Sequence, residues 1–179
     1  MTLDLASDPI VLVPHRAEWE ALARQEIAAI RAGLAGMPVS DIQHIGSTAV
    51  RGIVAKPILD LQVLVPALAD VPGAVAALGA LGYEYWADNP DRLRLFFVKG
   101  RSPKGAGRSH HLHVLQDRDT FEDAVLFRDA LLGDPVLAGE YDRLKRDLAA
   151  RFSADREAYT AGKTGFVRDV VRNARWATA

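Results

Sequence analysis

Two short segments in the first third of the sequence carry residues suited to binding phosphate and a divalent cation. Gly46, Ser47 and Thr48 form a glycine–hydroxyl turn, and Asp60 follows inside an apolar run. Glycine lets the backbone approach a phosphate closely, and backbone amides and hydroxyls can hold the phosphate oxygens. A carboxylate on the next strand can bind Mg²⁺ or Mn²⁺ bridging those phosphates. These residues therefore predict a phosphate site with Asp60 as a metal ligand.

Asp60 and Gln62 alternate with aliphatic residues, so their side chains should share one face of a strand. That face is predicted to line a cleft, with Gln62 offering an uncharged amide. Burying a carboxylate among apolar residues costs several kcal/mol, on the order of the desolvation penalty of a buried charge, unless it is paired or bound to a metal. The alternative to a metal is therefore a structural ion pair with Lys56 or with an arginine.

His111 and His113 lie two residues apart in an alternating run and should point to the same side of a strand. Imidazoles in this arrangement can bind a shared metal or transfer protons. The prediction is that both take part in catalysis with Asp60, and that His113 joins Asp60 as a metal ligand. The alternative is a pair of exposed histidines on a half-buried strand.

Hydrophobic periodicity predicts the elements that must position these residues. The first two thirds of the sequence mix helices and strands, whereas the last third has helical periodicity throughout. The predicted helices cover residues 16–34, 71–81, 121–132, 135–152 and 155–176, and the predicted strands cover residues 58–65, 83–86, 92–98 and 111–115. No linker composition separates the two parts, so residues 1–179 are predicted to form a single α+β domain with a C-terminal helical hairpin or bundle.

Composition narrows the classes of partner. The formal net charge is -1 and the charges are interspersed, which argues against duplex nucleic acid. The sequence contains no cysteine, so thiolate chemistry is excluded. The N-terminal residues lack a basic segment, and no apolar run approaches the length of a membrane span. We expect a cytoplasmic protein, without a membrane partner, that binds a small charged ligand.

The motifs resemble those of the GrpB family, also called UPF0157. The family pattern His-Ile-Gly-Ser-Thr-x-Val-x-Gly followed by Ala-Lys-Pro-Ile-x-Asp is matched between residues 44 and 60. One position departs from it, because Arg51 stands where the family usually has proline. Further similar motifs lie at Gly82-Tyr83, His111-Leu112-His113-Val114, Phe127-Arg128-Asp129, Glu140-Tyr141-x-x-Leu144-Lys145 and Tyr159-x-x-x-Lys163.

The resemblance implies a nucleotidyltransferase-like mixed β-sheet flanked by helices. Its motifs include Arg128, Lys145 and Lys163 on the C-terminal helices, which implies that these cations bind substrate phosphates or carboxylates. Arg51, Lys56 and Gln62, close to the turn and to Asp60 in the sequence, are further candidates for binding the substrate. In isolation the three helical cations would be solvated surface charges. Tyr141 and Tyr159 lie four residues before Lys145 and Lys163, so each pair should face the same way. A basic, glycine-rich loop at residues 99–109 is either a lid over phosphates or a plain hairpin loop.

Two functions follow from the resemblance. The first is a metal-dependent nucleotidyltransferase that transfers a nucleoside monophosphate to an unknown acceptor. In active members of the nucleotidyltransferase superfamily a second acid stands at the position of Gln62. The alternative is therefore a catalytically impaired module that binds a nucleotide or a coenzyme A-related molecule. A third option is a structural role with an empty cleft. Some family members are fused to dephospho-CoA kinase domains, which suggests a nucleotide or another phosphate-bearing small molecule as partner.

Overall fold

The computed structural model describes residues 9–68, 71–89, 91–100 and 107–178 of the chain. Within these ranges a mixed sheet is accompanied by five α-helices, which confirms the predicted α+β class. The elements, in chain order, are α1 (Glu18–Gly33), β1 (Asp41–Ile45), a 3₁₀ turn (Ser47–Ala49), β2 (Leu59–Leu64), α2 (Val71–Ala80), β3 (Tyr83–Tyr85), β4 (Arg94–Lys99), β5 (His110–Leu115), α3 (Arg118–Gly133), α4 (Pro135–Arg151) and α5 (Arg156–Thr178).

The five strands form one sheet in the order β1-β2-β5-β4-β3. β2 and β5 run parallel at its centre, and every other neighbouring pair is antiparallel. The register sets Asp60 opposite His111 and Gln62 opposite His113. The central strand pair therefore brings the acid and the two histidines singled out in the sequence onto neighbouring positions.

Different helices pack on the two faces of the sheet. Leu61, Leu112 and Phe97 point to one face, where they join a core with residues of α1 and α2. Asp60 and His111 point to the other face, where α3 packs against β1, β2 and β5. The helices α3, α4 and α5 also contact one another, so the predicted C-terminal helical bundle lies over the polar face of the sheet.

Local sequence accounts for the starts of two C-terminal helices. The Asp117 carboxylate accepts a hydrogen bond from the amide of Thr120 at 2.9 Å and caps α3. Asp134 caps α4 in the same way, and Pro135 at the first helical position needs no amide partner. The predicted helix at residues 121–132 thus begins three residues earlier, at Arg118, because its cap precedes the hydrophobic pattern.

No helix in the described part of the chain is both long enough and apolar enough to span a bilayer.

Candidate functional site

The Gly46-Ser47-Thr48 turn follows β1, and its last two residues belong to the 3₁₀ turn. The backbone needs a glycine at its first position. Gly46 has a φ of 72°, a conformation that side-chain-bearing residues rarely adopt. A hydrogen bond of 2.9 Å joins His44 Nε2 to Thr48 Oγ1, and the Thr48 hydroxyl donates to the Ile58 carbonyl oxygen at 3.3 Å. Burial lowers the pKa of His44 to about 4, with repulsion from Arg128 adding to the effect. His44 is thus a neutral support of the turn.

Asp60 lies at the start of β2, directly beside this turn, and is hydrogen-bonded to His111. His111 Nδ1 lies 2.9 Å from Asp60 Oδ1. Burial alone would raise the pKa of Asp60, but the hydrogen bond from His111 and the nearby positive charges hold it well below its usual range. Burial lowers the pKa of His111 despite the neighbouring carboxylate. Asp60 is therefore ionised and His111 neutral, so Nδ1–H donates to the carboxylate and Nε2 carries the free lone pair.

Two lysines lie against the ring of Tyr159 in the same region. The Lys163 ammonium lies 4.5 Å from the centre of the Tyr159 ring, and that of Lys56 lies 5.5 Å from it. Burial and repulsion from Arg156 and Lys163 lower the pKa of Lys56 to about 7. Burial is also the main cause that lowers the pKa of Lys163. An anion placed between these lysines would stabilise their charged forms.

These groups enclose a cavity of about 250 Å³, which we call the Asp60 cavity. Asp60 is the only carboxylate among its described wall residues. The walls comprise Gly46, Ser47, Thr48, Lys56, Ile58, Asp60, His111, Tyr141, Arg156, Tyr159, Thr160 and Lys163. The structure therefore brings together seven of the residues predicted from the sequence: the three turn residues, both lysines, Asp60 and His111.

Arg51 and Arg128 line a different cavity, of about 580 Å³, which has Thr48 as a wall residue in common with the Asp60 cavity. Arg51 is exposed and pairs with Glu20 at 2.7 Å. Arg128 donates from Nη1 to Gln43 Oε1 at 2.8 Å and to the His44 carbonyl oxygen at 2.9 Å. The structure thus separates both arginines from the Asp60 cavity, and Arg128 helps to hold β1 against α3.

Gln62 does not line the predicted cleft. Its side-chain amide is buried and donates to the Phe121 carbonyl oxygen at 2.7 Å. Gln62 does share a face with Asp60, as the alternation predicts, but α3 covers that face at position 62. Gln62 therefore joins the sheet to α3.

Lys145 is not among the wall residues of the Asp60 cavity and lies behind one of them, Tyr141. It is 1% exposed, its ammonium donates to the Val54 carbonyl oxygen, and it lies 4.9 Å from the centre of the Tyr141 ring. Burial lowers its pKa to about 7, even though Asp142 opposes the shift. Lys145 thus ties α4 to the segment that precedes Lys56.

His113 lines a neighbouring cavity of about 500 Å³, which we call the Phe96 cavity after the ring at its base. Burial, with repulsion from Arg94, lowers the pKa of His113 to about 3, so the imidazole is neutral. In the described ranges, no three His, Asp or Glu side chains are grouped closely enough to hold a metal. The predicted metal ligands Asp60 and His113 therefore lack a third protein ligand there, and Gln62 cannot supply a second carboxylate. These residues do not fit a two-metal centre.

Arg156 and Thr160 are wall residues that the motifs did not indicate. The helical spacing could have indicated them, because residues 156 and 160 lie on the same face of α5 as the predicted Lys163. The predicted lid at residues 99–109 includes residues 101–106, which lie outside the described part of the chain.

The sequence matches a protein family and several known proteins. A family model described as GrpB protein matches residues 9–173. A UPF0157 protein of Pseudomonas aeruginosa is 44% identical over 173 residues, covering 96% of this chain and 70% of that protein. A dephospho-CoA kinase of Mycolicibacterium paratuberculosis is 30% identical over 195 residues, covering 97% of this chain and 48% of that protein.

Solved structures agree with the fold described above. The crystal structure of GrpB from Enterococcus faecalis superposes with a TM-score of 0.79 at 28% identity, covering 92% of this chain and 96% of that one. The Cid1 poly(U) polymerase with Mg 3′-dATP bound gives a TM-score of 0.50 at 12% identity, covering 84% of this chain and 49% of that one. The second likeness concerns the fold alone, and it is consistent with a nucleotidyltransferase-like sheet and helices.

Proposed function

The chain belongs to the GrpB protein family, and we propose that its Asp60 cavity binds the phosphate groups of a nucleotide or a related phosphate-bearing small molecule. The observation that supports this most strongly is the convergence of Lys56, Lys163 and Arg156 on one cavity with a single carboxylate. The fold shared with a polymerase that binds a nucleotide, and the kinase relative named for dephospho-CoA, are consistent with such a ligand.

The charge balance of the cavity favours an anion. Cation–π contacts with Tyr159 position both lysines, yet no carboxylate lies within ion-pair distance of either lysine in the described residues. Partly buried cations without a carboxylate partner gain more from a bound phosphate than exposed cations do, because screening is weaker there. Hydroxyls of Ser47 and Thr160 line the same walls and can donate to phosphate oxygens.

Asp60 has a structural role in this proposal. Its carboxylate fixes the tautomer of His111 and balances part of the positive charge beside the turn. Phosphate binding then needs no divalent cation, because the lysines supply the positive charge.

Transfer of a nucleoside monophosphate, with Mg²⁺ or Mn²⁺ on Asp60, is the second candidate. The observation that favours it is that Asp60 faces the Gly46-Ser47 turn in a family with a nucleotidyltransferase-like fold. This candidate requires the metal for nucleotide binding, whereas the first does not.

Isothermal titration calorimetry separates the two. Wild type, Lys163→Ala, Asp60→Asn and Arg143→Ala are titrated with nucleoside triphosphates in EDTA and again in Mg²⁺ or Mn²⁺. Arg143→Ala is the matched control, because it removes one exposed positive charge from α4, outside the cavity walls. We expect binding in EDTA that Lys163→Ala weakens at least about tenfold, the usual effect of losing a hydrogen bond to a charged group, and that Arg143→Ala leaves unchanged.

Asp60→Asn decides between the candidates. Without metal it should preserve or strengthen binding, because it removes a negative charge beside the anion. Binding that appears only with metal and disappears in Asp60→Asn would instead establish the second candidate. If no phosphate compound binds under either condition, both are rejected.

A further inference from the structure

The Phe96 cavity adjoins the Asp60 cavity. The two share His111, Arg156 and Thr160 as wall residues, and His113 lines only the larger one. A ligand whose phosphate lies beside Lys163 can therefore extend past His111 into the Phe96 cavity. This second space is about 500 Å³, large enough for more than a phosphate group.

Four rings line the base of the Phe96 cavity, with Phe96 in contact with the other three. The Phe96 ring lies 4.9 Å from the ring of His113, 5.3 Å from that of His111 and 5.9 Å from that of Trp86, measured between centroids. Phe96 and the two histidines come from the paired strands β4 and β5, and Trp86 follows β3. The rings are tilted against Phe96 by 33° to 64°, so each ring offers its own face or edge as apolar surface to a planar group.

Two imidazole nitrogen atoms at this base have no hydrogen-bond partner in the part of the chain that the structure describes. His111 Nε2 and His113 Nδ1 are buried and make no hydrogen bond to any described residue. Buried polar atoms of this kind are uncommon in native proteins and call for an explanation. Both imidazoles are neutral because burial lowers the pKa of each, so they can exchange hydrogen bonds with the polar edge of a neutral ring.

The arginines around the Phe96 cavity do not make it a second phosphate site. Arg94 pairs with Asp91 at 3.0 Å. Arg108 also interacts within the protein, Arg156 is shared with the Asp60 cavity, and Glu157 adds a carboxylate to the same wall. The chemistry of the base is therefore that of rings and neutral hydrogen-bonding atoms.

We propose that the Phe96 cavity binds a planar, hydrogen-bonding ring, such as a nucleobase, that belongs to the same ligand whose phosphate occupies the Asp60 cavity. This inference rests on the proposed function and adds the class of the remaining part of the ligand. It assigns Phe96 and Trp86 to stacking, and His111 Nε2 and His113 Nδ1 to the edge of the ring.

Two kinds of probe, with and without a nucleobase, test the inference on the wild-type protein. The four ribonucleoside 5′-monophosphates carry a base, and ribose 5-phosphate lacks one. We expect calorimetry to show that at least one of the nucleotides binds about tenfold or more tightly than ribose 5-phosphate, the effect typical of one stacked base. Equal affinities would overturn the inference and leave the phosphate site standing. If neither kind of probe binds, this inference is overturned, and the proposed function then stands or falls with the triphosphate titrations.

Variants then locate the ring. Trp86→Leu and Phe96→Leu should reduce nucleotide affinity towards that of ribose 5-phosphate while the affinity for ribose 5-phosphate stays the same. Tyr85→Leu is the matched control, because it removes a ring that packs against Phe97 on the opposite face of the sheet. Trp86 is only half-buried, whereas Phe96 is buried. Trp86→Leu should therefore remain folded even if Phe96→Leu does not fold. A preference for nucleotides that persists in Trp86→Leu and in folded Phe96→Leu would place the ring elsewhere and overturn the inference.

Discussion

Gly46 lies against Asp60 so closely that no side chain fits between them. A Cβ atom on residue 46 would come within 2.6 Å of Asp60 Oδ2 and within 3.0 Å of Asp60 Cβ. The φ of 72° at Gly46 independently disfavours any residue but glycine. The turn and the carboxylate are thus fitted to each other, and the Gly-Ser motif sets the position of Asp60 directly.

Gly46→Ala should therefore combine backbone strain with a steric clash. We expect it to lower the free energy of unfolding by about 2–4 kcal/mol. Gly52→Ala is the matched control, because Gly52 also has a positive φ, of 83°, but a Cβ there meets nothing within 4 Å. Its cost should be about 1 kcal/mol, from strain alone. Urea unfolding of both variants measures the difference, and equal losses would show that the contact with Asp60 is unimportant.

A second prediction concerns Gln62, the position at which the wider superfamily has an acid. Gln62→Glu removes the donor to the Phe121 carbonyl oxygen and buries a carboxyl group beneath α3. We expect it to destabilise the protein by more than Gln62→Met, which should cost about 1–3 kcal/mol for the carbonyl left without its partner. Burial raises the pKa of a carboxyl group, so the folded state keeps the proton longer than the unfolded state.

The stability deficit of Gln62→Glu should consequently grow as the pH rises from about 4 towards 7. Urea unfolding at several pH values, with and without Mg²⁺, measures it. Stabilisation of Gln62→Glu by Mg²⁺, absent in wild type, would show instead that position 62 opens to the cleft.

The two Tyr–Lys pairs show which parts of the site the sequence could predict. Spacing of four residues correctly placed Tyr141 beside Lys145 and Tyr159 beside Lys163, because helical geometry is local. The surroundings of each pair depend on packing between elements distant in the sequence. Lys145 meets the Val54 carbonyl oxygen, whereas Lys163 lines the Asp60 cavity. No local pattern distinguishes the two.

In the sheet, too, local patterns were predictable from the sequence and packing between distant elements was not. Alternation correctly placed Asp60 and Gln62 on one face of β2, and it placed His111 and His113 together on β5. The parallel register that sets Asp60 against His111, and the position of α3 over Gln62, depend on tertiary packing. Similarity to a known family supplied the overall fold, but the extent of the cleft along β2 had to come from the structure.

A third prediction separates the two lysines by experiment. Lys145→Met removes the donor to a buried carbonyl and should lower the free energy of unfolding by about 1–3 kcal/mol. Lys163→Met should change stability less, because no carbonyl oxygen in the described residues loses a hydrogen bond from Lys163, but it should weaken phosphate binding. Calorimetry and urea unfolding of both variants give the two quantities. If Lys145→Met weakened binding as much as Lys163→Met at unchanged stability, Lys145 would belong to the ligand site after all.

A fourth prediction follows from the pKa of Lys56, which burial and neighbouring positive charges lower to about 7. At pH 8 most molecules without ligand therefore have a neutral Lys56. A bound phosphate favours the ammonium form, so its pKa rises and binding takes up a proton. Affinity should accordingly fall as the pH rises from about 7 to 9, where the phosphate itself is already fully ionised.

Proton uptake can be measured directly by calorimetry in buffers of different ionisation enthalpy at pH 8. The wild type should take up a fraction of a proton per nucleotide bound, and Lys56→Gln should take up less. Residual uptake in Lys56→Gln is expected from Lys163, whose pKa burial also lowers. Lys56→Gln should also bind more weakly than wild type at pH 6.5, where Lys56 is largely charged. Equal proton uptake in Lys56→Gln and wild type would show that the bound phosphate does not interact with Lys56, since only a charge close to the ammonium group can shift its pKa this far.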